Sequence, residues 1–128
     1  MDLFLGIDLG WREGEEEANE TGVIALRRDG TIALAGWVRG LGATAAWMSE
    51  ASAGVSSVLA LVDAPLVITN VDRQRLCETE TGQRYNRWKF SANSNNLSSP
   101  RKGGVLLRSR LEALGWRYDD GVDGPPRG

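Results

Sequence analysis

Val58-Leu59-Ala60-Leu61-Val62-Asp63-Ala64-Pro65 is the stretch that decides the fold. An unbroken apolar run that stops at an acid and a proline turn reads as a strand buried on both faces, the mark of a parallel neighbour inside a sheet. Such a strand needs a partner running the same way and a crossover segment between the two. Both lie upstream. Leu3 to Ile7 is another short apolar run, stopped by Asp8 and Gly10. Gly40 and Gly42 break the pattern, after which Thr44 is placed to cap a helix running to about Ala53, carrying Trp47 and Met48 and closed by Gly54.

Working outward, Gly22 to Arg28 is a strand, and Thr31 to Val38 returns antiparallel to it. Asp29-Gly30 between them is a pair suited to a two-residue turn, because both residues tolerate positive φ. Arg12 to Glu20, with Glu13, Glu15, Glu16, Glu17 and Glu20, reads as an exposed loop. Downstream, Asp72 to Thr81 reads as a short helix stopped by Gly82, and Ser91 to Ser99 as a polar loop. Ser99-Pro100 starts a helix that carries Leu107, Leu111 and Leu114 on one face and ends at Gly115. Residues 117–128 have no packing pattern and read as a disordered tail. The element order is β-β-β-α-β-α-α: an α/β chain with a mixed sheet, as one domain over residues 1–116.

The composition limits the chemistry. With 128 residues, 41% hydrophobic and 25% charged, the chain fits one domain, and no apolar run approaches the ~20 residues of a membrane span. Met1-Asp2-Leu3-Phe4-Leu5 lacks the basic flank of a secretory signal, so a soluble, cytoplasmic domain is expected. The single Cys77 excludes an internal disulfide. The absence of histidine excludes Ser-His-Asp and Cys-His catalysis and His-ligated zinc. What remains is carboxylates, cations, hydroxyls, or a metal held by oxygen. The net charge of −2 is split: ten acidic and four basic side chains in residues 1–64, seven acidic and eleven basic in 65–128. Such a chain can hold a cation in one place and an anionic ligand in another.

Asp8 and Asp63 each end an apolar strand. If those strands are parallel neighbours, both carboxylates emerge at one sheet edge, where ligands bind in open α/β folds, and a hard divalent cation is their natural partner. Either residue alone is more often a turn or cap. Arg75 and Glu78, at i and i+3, either pair on a helix surface or grip an anion and join the carboxylates. Cys77 reads as a small buried apolar residue. Arg84, Tyr85, Arg87, Trp88, Lys89 and Phe90 interleave cations with aromatics. That mixture suits single-stranded nucleic acid as well as it suits a small loop core. Asn93 supplies a polar contact or a turn.

Taken together, Gly6-Ile7-Asp8-Leu9-Gly10-Trp11, Val62-Asp63-Ala64-Pro65-Leu66, Arg75-Leu76-Cys77-Glu78 and Ser91-Ala92-Asn93 resemble a widespread set of predicted nucleases. The set is catalogued as domain of unknown function 429 and has a ribonuclease-H-like fold. The resemblance spans roughly residues 3–116. It implies a sheet in the order 3-2-1-4-5 and a magnesium- or manganese-dependent phosphodiesterase site. Asp8 and Asp63 fall on its acidic positions, and Arg75 and Glu78 on its Arg-x-Cys-Glu motif. Glu78 would then be a third ligand or base and Arg75 a phosphate contact. Members continue through a fifth strand, whereas this pattern fades after Leu114-Gly115-Trp116, so a shortened member is expected. Its strand 58–62 would lie at the sheet edge and be covered by a second copy, since bare apolar edges are rare. The alternative is a non-catalytic domain binding nucleic acid or protein through residues 84–102. A fragment of an actin-like kinase fits less well, because Trp11 and an acidic loop follow Asp8-Leu9-Gly10.

Overall fold

The computed structural model describes residues 1–10, 19–69, 76–88 and 103–126. The elements are β1 (Leu3–Asp8), β2 (Glu20–Arg27), β3 (Ile32–Arg39), α1 (Leu41–Ser52), β4 (Val58–Val62), α2 (Leu76–Tyr85) and α3 (Gly103–Ala113), with a 3-10 turn at Asn86–Trp88. The sheet runs β3-β2-β1-β4. β1 is antiparallel to β2 and parallel to β4, so the chain is α/β with a mixed four-stranded sheet. None of the helices among the described residues is long and apolar enough to cross a membrane.

Alternation along β1 creates the core. Leu3, Leu5 and Ile7 are buried on one face, while Phe4, Gly6 and Asp8 take the other. Val23 and Ala25 of β2 continue the buried face, and α1 and α3 cover it with Leu41, Ala45, Met48, Leu107 and Leu111. Fully burying a residue such as Leu5 or Leu107 is worth ~1.5–3 kcal/mol over leaving it in water. α3 is therefore held by Leu107 and Leu111; Leu114, expected on the same face, lies past the helix end and is 58% exposed.

Tertiary context shifted several local expectations. The hairpin does not use a two-residue turn. The Gly30 N–H donates to Arg27 O and the Arg27 N–H to Thr31 O, both at 2.9 Å, leaving Arg28-Asp29-Gly30 as a three-residue connection with Gly30 at φ 85°. The Asp29 carboxylate accepts from the Thr31 Oγ1 hydroxyl at 2.7 Å and the Thr31 N–H at 3.0 Å. Those two bonds, the hydroxyl's first, hold the Asp29 pKa below the ordinary carboxylate value. Further along, Leu26 pairs with Ile32 but Ala25 with Leu34, so Ala33 is a bulged residue.

α1 starts at Leu41 after Gly40 (φ 89°), not at Thr44. Thr44 is fully buried within the first turn, and its Oγ1 donates back to Gly40 O at 2.8 Å. α2 runs through Gly82 to Tyr85, and Cys77 is exposed on it, where a buried residue was expected. β4 is not buried on both faces: Leu61 is 65% exposed. It hydrogen-bonds to β1 and is an outer strand of the sheet, as β3 is on the other side. Ser99-Pro100 lies outside the described residues. Residues 117–126 carry turns rather than helix or strand, and Tyr118 lies beneath the Arg108 guanidinium, 4.2 Å from its ring centroid.

Candidate metal and nucleic-acid site

β1 and β4 run in parallel register from Leu3 opposite Val58 to Ile7 opposite Val62. One step on, the Asp63 N–H donates to Ile7 O at 2.8 Å, which carries the ladder to Asp8 and Asp63 and sets them side by side. Both are exposed, on the sheet face away from the core. Among the described residues neither carboxylate takes part in a hydrogen bond or an ion pair. Even ~4 Å apart, two like charges in bulk water repel by only about 1 kcal/mol. The solvated strand ends therefore tolerate the pair, and two such carboxylates are groups that would hold a hard cation.

The backbone on either side is fixed by close packing. After β1, the Gly10 N–H donates to the buried Thr21 Oγ1 at 3.0 Å. An added Cβ on Gly10 would run into the Asn19 carbonyl. After β4, the first turn of α3 presses on the loop behind Asp63. An added Cβ on Gly104 would meet the Pro65 carbonyl oxygen, lie 2.9 Å from its carbon and sit 3.1 Å from Ala64 Cβ. Asp8 and Asp63 are thus held by rigid backbone on both sides, which a binding site requires.

The other expected residues are dispersed. Among the described residues no three Asp, Glu, His or Cys side chains gather to hold a metal, so Glu78 does not complete a triad with Asp8 and Asp63. It is buried on α2, at 3% exposure. Arg75, Lys89 and Asn93, together with Trp11, lie outside the described residues. Arg84 sits in the last turn of α2, and Arg87 follows in the 3-10 turn with its guanidinium 4.9 Å from the Trp88 ring centroid. Tyr85 and Trp88 are 50% and 66% exposed, so these two rings do not form a loop core.

The structure also brings in two residues that the motif reading passed over. Thr21 is one, as the anchor for Gly10. Trp37 is the other: it pairs with Gly22, which pairs with Asp8, and its side chain is 70% exposed on the open face. The signal was the hairpin register, which places position 37 opposite position 22. Against known proteins, no family model, no curated sequence and no solved structure matches this chain.

Proposed function

We propose that the chain is a metal-dependent nuclease of ribonuclease-H-like fold that hydrolyses phosphodiester bonds in nucleic acid. The observation that carries this reading is the exposed carboxylate pair, Asp8 and Asp63, at the C-terminal ends of two parallel neighbours and without a cationic partner among the described residues. All-oxygen donors on an open edge suit magnesium or manganese, hard cations that prefer oxygen ligands. When bound, such an ion supplies the charge that polarises a phosphate and makes an attacking water more acidic. Asp8 and Asp63 would hold it. Arg84 and Arg87 would draw in the anionic backbone, a role that needs cations but no fixed triad. This mechanism uses no imidazole, which accords with a chain that has none.

The test is cleavage of single-stranded and structured oligonucleotides across a magnesium and manganese titration. Cleavage that depends on the ion and disappears in Asp8→Asn is the expected result. Cleavage that continues at the wild-type rate in Asp8→Asn refutes the assignment. The stacked Arg87 and Trp88, both exposed, favour a second reading in which nucleic acid is bound but not cut. Metal-independent binding without cleavage is its signature.

A second copy of the chain is the proposed cover for the open edge of β4. A groove of about 690 Å³ beside that strand is lined by Leu59 and Leu61 of β4 and by Leu114 and Trp116 beyond α3, among others. Light scattering that shows a monomer at every concentration overturns this part.

A further inference from the structure

Four positions form one row across the sheet. Asp63 stands beside Asp8, Asp8 pairs with Gly22, and Gly22 pairs with Trp37. Gly22 leaves the middle of the row bare. A Cβ there would lie 3.2 Å from Trp37 Cζ3, 3.7 Å from its Cε3 and 3.6 Å from Asp8 Cβ. The indole therefore turns inward from β3 over β2 towards Asp8, yet stays 70% exposed. Gly6, Ile24 and Leu61 complete a shallow depression of about 700 Å³ between the ring and the carboxylates.

We infer that Trp37 is the stacking platform for an unpaired nucleobase of the strand bound at Asp8 and Asp63, which makes single-stranded nucleic acid the substrate class. This rests on the nuclease reading above. A ligand that spans the row needs a phosphate for a cation at the carboxylate end and a flat, apolar surface at the tryptophan end. β1 and β3 are two strand spacings apart, about 10 Å, so both ends lie within reach of neighbouring nucleotides. A duplex keeps its bases inside the stack, where they cannot meet the ring, whereas a single strand offers them freely. Gly22, which lies beside the ring, has no side chain to compete for its surface.

The probe is a short oligothymidylate, with and without abasic positions, titrated with calcium in place of magnesium to hold it uncut. Stacking predicts that binding weakens about 5- to 150-fold in Trp37→Leu and recovers in part in Trp37→Phe. It also predicts quenching of the emission present in the wild type and absent from Trp37→Phe. Abasic positions should weaken wild-type binding and have no further effect on Trp37→Leu. Under turnover, KM should rise more than kcat falls. Gly22→Val, which displaces the ring while leaving it in the chain, should weaken binding in the same direction. Metal-dependent cleavage with an unchanged KM in Trp37→Leu overturns stacking and leaves the nuclease standing. Quenching at Trp37 without cleavage under any metal supports stacking and removes the nuclease. A wild type that neither binds nor cuts removes both.

Discussion

Gly104→Ala is the sharpest test of how the site is held, because one added methyl group should act against helix propensity. Alanine is the better helix former, by ~0.8–1 kcal/mol in a helix interior and less in a first turn such as this one. At Gly104 that Cβ would meet the Pro65 carbonyl oxygen, lie 2.9 Å from its carbon and sit 3.1 Å from Ala64 Cβ. The obstacle is backbone, which cannot rotate away as a side-chain end could. α3 must lift from the loop behind Asp63, loosening the packing of Leu107 and Leu111. Overpacking of this kind costs ~1–3 kcal/mol or more. Net of propensity, a loss of about 2 kcal/mol is expected, or roughly 6–10 °C in Tm for a chain of this size. Urea and thermal unfolding measure it. The matched control is Gly82→Ala in α2, where nothing lies within 4 Å of the added Cβ and the same change should stabilise or leave Tm unaltered. If Gly104→Ala leaves Tm unchanged or raises it, α3 does not pack against the 64–65 backbone as described, and the support of Asp63 fails with it.

Thr21→Val removes the buried acceptor of the Gly10 N–H and should cost about 1–3 kcal/mol by the same unfolding measurement. Asp8→Asn and Asp63→Asn, both exposed, should shift stability by no more than about 0.5 kcal/mol, so a loss of cleavage in either would reflect chemistry rather than unfolding. The Asp29 carboxyl should titrate below the ordinary carboxylate value by NMR, and Thr31→Val should raise it by removing the hydroxyl bond. Because folding depresses that pKa, its contribution to stability is present above the unfolded value and lost as pH falls through the folded one. A Thr31→Val titration identical to wild type would refute the turn geometry.

The α/β class was legible because β1, β4 and the hairpin announce themselves by local pattern, as short apolar runs and as Asp29-Gly30 between two of them, while the order 3-2-1-4 had come from the family resemblance. The ends of elements were less legible, since they depend on packing at a distance. Thr44 looks like a cap by composition, but Leu41 is pulled into the core and the helix begins there, leaving Thr44 to bond back to Gly40. Gly82 looks like a stop, yet nothing crowds it and α2 continues through it. An unbroken apolar run suggested burial on both faces for β4, whereas Leu61 faces solvent, because periodicity cannot tell a central strand from an outer one. At the site, the side-by-side placement of Asp8 and Asp63 followed from strand order alone. The position of Trp37 in the same row was passed over although it was legible: a two-residue Asp29-Gly30 turn pairs position 28 with 31 and so 22 with 37, the pair that the structure shows.

The three-residue connection at Arg28-Asp29-Gly30 and the bulge at Ala33 have a joint consequence of parity. One takes a residue out of step and the other restores it, so the two irregularities cancel and position 37 returns to the side of the sheet it would occupy with neither. Either alone would send the indole to the opposite face, into the space of α1. Deleting Ala33 while keeping the turn would straighten the ladder: Leu26 would still pair with Ile32 and Ala25 with Leu34, so the indole would stay opposite Gly22 on the open face. An insertion between Leu34 and Trp37 that formed no second bulge would instead move the indole opposite Thr21 and turn it to the core face.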